Sequence, residues 1–221
     1  LSLNSFADIE NNLFEAEGYN NSFRFMKAKQ AIDNIESQIQ LIDEDIKAIR
    51  KALSDLEEQE QKNSGRVVHA LDMFEELQKE VTSDPDRYGS ALPEIEKQIG
   101  NIQSEFSQFV TLNSSGDPVE AAEILDTAEN HIVALKQIVE RVPEIVTALQ
   151  AKLPDQLEDL ESGYRKLLES GYHFTETDIE SRFQQLHASL KNNMANVSAL
   201  ELDNAIYENE QIQEEIDALY H

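Results

Sequence analysis

Apolar side chains recur along this chain at alternating intervals of three and four residues, and the first run is unbroken: Phe25, Ala28, Ile32, Ile35, Ile39, Ile42, Ile46, Ile49, Leu53 and Leu56. That spacing puts every one of them on a single stripe of an α-helix and calls for partner helices along it. After a polar gap at Glu60 and Asn63 the stripe resumes in the same phase through Val67, Ala70, Phe74, Leu77 and Val81. The pattern predicts one helix from Asn20 to about Thr82, roughly 90 Å long at ~1.5 Å per residue. Gly65 is its weak point, and a turn at Asn63-Ser64-Gly65 is the alternative. Ser83-Asp84-Pro85-Asp86 is a firmer stop, and Leu92, Ile95, Ile99, Ile102, Phe106 and Phe109 then mark a helix of ordinary length. The run Asn113-Ser114-Ser115-Gly116-Asp117-Pro118 reads as a turn whose proline suits the first position of the next helix.

A second long seam follows through Ala121, Leu125, Ala128, Ile132, Leu135, Val139, Val142, Val146, Leu149, Leu153, Leu157, Leu160, Tyr164 and Leu167. Its phase slips once, between Leu153 and Leu157, where Pro154 lies; with Pro143 upstream, kinks or one true break are expected. Gly171 closes the seam. Shorter helices are predicted from about Glu176 to Val197, with Ile179, Phe183, Leu186 and Leu190 inward, and from Asp203 to Tyr220, with Ile206, Ile212, Ile216 and Leu219 inward.

The starts of these seams align. Ala28, Ile35, Ile39 and Ile42 match Ala121, Ala128, Ile132 and Leu135, and then Ala205, Ile212, Ile216 and Leu219, at offsets of 93 and 84 residues. A period of this length, built from a long seam and a shorter helix, points to an all-α chain. Its expected form is tandem spectrin-like three-helix bundles joined by long continuous helices in an elongated rod. The expected divisions are 1–52, an incomplete N-terminal helical bundle truncated upstream, then repeats at 53–142 and 143–221.

Charge narrows the range of partners. The 221 residues carry 44 acidic and 18 basic side chains, a formal net charge of −26, which opposes attraction to nucleic acid or to anionic lipid surfaces. Cysteine is absent, so there is no disulfide framework or thiolate metal site, and a reducing compartment is the simplest setting. No run approaches the ~18 apolar residues of a membrane span. The chain begins with Leu1 rather than Met and is read as a fragment whose upstream part is missing.

The search for chemistry comes back thin. None of His69, His131, His173, His187 and His221 has a glutamate three residues before it, the spacing a carboxylate-bridged diiron bundle needs. Asp84-x-Asp86-x-Tyr88-Gly89 echoes a calcium loop but has Ile95 where the bidentate acid belongs. Asp43-Glu44-Asp45 and Glu57-Glu58-Gln59-Glu60 place neighbouring carboxylates in different directions on a helix and read as a solvated face. Phosphate-binding glycine loops and nucleophile elbows are absent. The chain is therefore read as non-enzymatic, with no catalytic, cofactor-binding or metal residue and no cofactor, and a helical metalloenzyme is the outlying alternative. Of the two Gly-Tyr pairs, Tyr164 lies on the heptad and reads as core. Tyr172 and Phe174 fall in a turn, either as an anchor for a partner or as a cap on the bundle.

The segment Gln156-Leu157-Glu158-Asp159-Leu160-Glu161-Ser162-Gly163-Tyr164, running on to Glu169-Ser170-Gly171-Tyr172, resembles a paired Gly-Tyr stretch of the EzrA family of septation ring formation regulators. Val142-Pro143 followed by Pro154, Tyr19, and the Phe25, Lys27, Ala28 cluster are similar to that family's pattern too. The resemblance implies a non-enzymatic cell-division regulator of Gram-positive bacteria. It would be a cytoplasmic arc of spectrin-like repeats at the division septum, tethered by an N-terminal membrane helix absent here. Its partners would be the tubulin-like protein FtsZ and other division proteins, and it would oppose assembly of the septation ring. The contact residues stay unknown. The alternative is a self-associating coiled-coil or spectrin-like scaffold, with a weak homodimer formed through apolar positions of the first bundle.

Overall fold

The computed structural model describes residues 7–9, 25–175 and 178–221, and among these residues every regular element is helical and there is no strand. The chain divides into two compact units, Leu1–Lys62 and Asn63–His221.

Helix α1 spans Phe25–Ser83 and passes through Gly65 without interruption, so the turn considered there is not formed. Its expected start at Asn20 lies outside the described residues. In the first unit the heptad stripe is mostly open to solvent. Phe25, Ile32, Ile39, Ile46, Ile49, Leu53 and Leu56 are exposed, while Ile42 is buried, as is Ala31 beside the stripe. The expectation that the whole stripe packs inward is corrected here: a seam states what a helix would bury, and the partners it calls for are not among the described residues.

In the second unit α1 continues from Asn63 to Ser83 and the chain turns through a 3-10 stretch, Pro85–Ala91. Helix α2 (Leu92–Ser114) and helix α3 (Pro118–Thr147) follow. Asp117 caps α3, its carboxylate accepting from the Glu120 amide, and Pro118 occupies the first turn, where a missing amide hydrogen costs nothing. These three segments pack together. Phe74 stacks on Phe106 at 5.5 Å between ring centres, and Ala70, Leu77, Ile95, Ile102, Phe109, Leu125, Ile132 and Leu135 fill the space between them. Each of the leucine, isoleucine and phenylalanine side chains contributes roughly 1.5–3 kcal/mol by leaving water.

The second long seam is one helical path. Helix α3 runs through Pro143, passes into a π-turn at Ala148–Lys152, and continues as helix α4 over Leu153–Glu169. There is no break at either proline. The extra residue of the π-turn is the structural counterpart of the phase slip seen one turn later in the sequence. Gly171, at φ +86°, ends α4, and the Tyr172 amide reaches back to the Leu167 carbonyl at 3.1 Å. Helices α5 (Ile179–Ser198) and α6 (Leu202–Tyr220) complete a second group of three with α4. Its core holds Leu157, Phe183, Leu186, Leu190, Ile212 and Ile216. The α5 to α6 turn uses the same backbone bond, Glu201 amide to Asn196 carbonyl at 2.9 Å, with Leu200 instead of glycine at φ +58°. Leu167, expected inward, is exposed because α4 is then near its end.

Candidate functional site

Three places in Asn63–His221 collect polar or aromatic groups against the apolar seams. The first is a pair of stations where an asparagine sits at a seam position and is fully enclosed. Asn63 falls in phase between Leu56 and Val67 and is 0% exposed. Its Nδ2 donates to the Pro118 carbonyl at 2.7 Å and to Asn113 Oδ1 at 3.1 Å, tying α1 to the turn between α2 and α3. The polar gap of the sequence is therefore a buried hydrogen-bonding station. Asn193, in phase between Leu190 and Val197, is 1% exposed. Its Nδ2 donates to the Ala205 carbonyl at 3.0 Å and to Asn209 Oδ1 at 2.8 Å, while its Oδ1 accepts from Asn196 at 3.0 Å. Asn209 extends the chain of bonds to the Ile145 carbonyl at 3.4 Å. Buried amides of this kind fix register, because a slipped seam would leave them without partners.

The second place is the linker Pro85–Ala91 against the π-turn. Tyr88 and Ala91 are wholly buried, and Arg87 donates to Tyr88 Oη at 2.7 Å, a bond that raises the Arg87 pKa above its ordinary value. Gly89 adopts φ +51° and ψ −131°. A β-carbon there would lie 2.7 Å from Gln150 Nε2 and 3.0 Å from Val146 Cγ1, so the linker backbone rests directly on the long helix. Ser90 Oγ donates to the Met194 carbonyl at 3.4 Å. The tract that faintly echoed a calcium loop is thus a packed connection, with its tyrosine in the core.

The third is the aromatic end of the second group of helices. Tyr164 packs on Phe174 at 5.0 Å and on Phe183 at 5.6 Å between ring centres, and Tyr172 meets Phe174 at 4.9 Å. Tyr164 is partly buried against the core, as its heptad position requires, while Tyr172 stays 56% exposed. Tyr164, Phe174 and Phe183 line a cavity of about 480 Å³, bounded also by Leu160, Ile179, Leu219 and Tyr220.

Ion pairs also link the helices. Arg66 on α1 binds Asp126 and, at 3.0 Å, Glu129 of α3, which raises its pKa through the Asp126 hydrogen bond first and that to Glu129 after it. His131 meets Glu105 at 2.6 Å, and His187 meets Glu161, each pair bridging two helices at the surface. Asp43, Glu44 and Asp45 are all exposed, and Asp43 pairs with Lys47 at 2.9 Å. Among the described residues no three histidine, cysteine, aspartate or glutamate side chains converge. Among them also, no helix is long and apolar enough to cross a membrane.

Sequence reading missed Asn193, Asn209 and Gly89. The asparagines had a signal, since both occupy seam positions otherwise filled by apolar residues. Gly89 had none, because the helix it touches lies some sixty residues further along the chain.

These features define a class: an all-α protein whose polar groups in the described core hold helices in register, with ion pairs spread over its surface. The chain belongs to the EzrA family, septation ring formation regulators, whose family model matches residues 1–221. It is 80% identical over its whole length to the septation ring formation regulator EzrA of Streptococcus sanguinis. Identity is 73% to that of Streptococcus gordonii and 72% to one from Streptococcus pneumoniae. In each case the chain spans 38% of the relative's length. No solved structure matches it.

Proposed function

We propose that this chain is a non-catalytic segment of a cell-division regulator, presenting helical surfaces to FtsZ and restraining assembly of the septation ring at the cytoplasmic face of the membrane. The observation that carries this reading is the match of the whole chain to the family of septation ring formation regulators. The helices support it physically, since α3, the π-turn and α4 form one path that enters both groups of three. On this reading the groups are spectrin-like repeats, divided near 53–142 and 143–221, that space binding surfaces along a rod. Tethering is assigned to a membrane helix elsewhere in the full-length protein. GTP-driven FtsZ assembly, followed by light scattering and pelleting at fixed ionic strength, tests the proposal. Co-pelleting of the chain or a lowered polymer yield is the expected result, and neither effect at a molar excess over FtsZ would overturn the assignment of a contact to this segment.

A second reading, self-association, draws on the exposed stripe of α1, where Ile39, Ile49 and Leu53 are each more than half exposed. Sedimentation velocity would show a dimer at micromolar concentration that Ile39→Glu and Ile49→Glu abolish. A monomer at those concentrations removes this reading.

A further inference from the structure

We propose that the π-turn at Ala148–Lys152 is a joint in which the shared helix takes up one surplus residue, held in that form by Asn209 from one side and the Gly89 linker from the other. The Leu153 amide bonds to the Ala148 carbonyl, five residues back instead of four. Inserting one residue into an α-helix turns everything after it by about 100° relative to the preceding stripe. The wider turn absorbs that residue, so Val142 and Val146 before it, Leu149 within it, and Leu153 and Leu157 after it are all buried.

A wide turn has poorer backbone bonding than an α-helix and persists only where its surroundings hold it. Three features do so. The Ala148 amide is shared between the Glu144 and Ile145 carbonyls, and Asn209 of α6 supplies a further donor to Ile145. The Gly89 backbone, at a positive φ that a side chain would strain, lies against the Val146 and Gln150 side chains. Pro154 has no amide hydrogen, so relaxation to an α-helix would give the Gln150 carbonyl no new bond. Asn209 belongs to the second group of helices and Gly89 to the linker of the first. The joint therefore couples them, and releasing it would carry one stripe off its core.

Two single-residue deletions in the 221-residue chain separate this idea from a plain distortion. Ala151 and Lys136 are both exposed on the same helical path. Deleting Ala151 removes the surplus residue, the turn becomes α-helical, and the melting temperature is expected to stay within about 3 °C of the parent. Deleting Lys136, where there is no surplus, misaligns the stripe and is expected to lower it by more than about 10 °C or prevent folding. Equal loss, or equal tolerance, overturns the proposal. The hold itself is tested by Asn209→Asp, which keeps an acceptor for Asn193 but removes the donor to Ile145. Hydrogen exchange of residues 149–153 is expected to quicken about 10-fold while residues 121–135 keep their protection. Unchanged exchange at 149–153 would rule out Asn209 as the element that holds the joint.

Discussion

An amide closed off from water at a seam position has to find its partners inside the protein, and the Asn63 Nδ2 donates to groups 50 and 55 residues away. Replacing it with leucine would suit the heptad and still be unfavourable, because the Pro118 carbonyl and the Asn113 side chain would lose their donor. An orphaned buried polar group costs about 1–3 kcal/mol, so Asn63→Leu is expected to destabilise the Asn63–His221 unit by that amount in urea titration. Two glycines provide a contrast in sign. Gly65 is helical and has open space around it, so Gly65→Ala should stabilise by about 1 kcal/mol. Gly89 has a positive φ and a helix against its α-carbon, so Gly89→Ala should destabilise by about 2 kcal/mol or more. Thermal melts of the two variants beside the parent read both signs, and a stabilising Gly89→Ala would mean that the linker does not rest on the helix as described.

At the scale of elements the two prolines of the long helical path differ in what they withhold. Pro143 lies inside α3 and offers no amide to the Val139 carbonyl, whereas Pro154 follows the π-turn in the opening turn of α4. Pro143→Ala is therefore expected to stabilise by about 1–3 kcal/mol and Pro154→Ala to change stability by less than about 1 kcal/mol. Denaturant midpoints compare the two directly. The residues had made much of this legible. The heptad through Phe74 and Val81, the stop at Ser83, and the proline opening at Pro118 all became helix ends or cores where the spacing put them. The phase slip was legible as a slip, but its form was not, because periodicity counts side chains while a π-turn is defined by which carbonyl an amide reaches. Leu200 in a left-handed conformation was equally hidden, since nothing about leucine announces it. Of the candidate site, the Gly-Tyr pairs marked the aromatic end. The linker on the π-turn required knowing which distant elements meet.

For the molecule as a whole the decisive contrast is between its two units. From Phe25 to Lys62 the helix buries Ala31 and Ile42 but leaves seven members of its apolar stripe in solvent, while nearly every core side chain among the described residues lies between Asn63 and His221. Helical hydrogen bonds alone hold a segment only marginally in water, and what stabilises a long helix is the burial of its apolar face. Local opening free energies should follow the same division even though α1 is one continuous element across it. Hydrogen exchange is therefore expected to run through residues 25–62 first, with protection rising beyond Asn63 and greatest around Leu125, Leu135 and Leu157, which are wholly buried. A chain beginning at Asn63 should keep the main thermal transition of the parent, because the apolar surface that drives it is retained. Uniform protection along α1, or loss of that transition on removing residues 1–62, would mean that the stripe of Ile39, Ile49 and Leu53 is covered in solution, and a concentration dependence of the exchange would then identify a second copy as the cover.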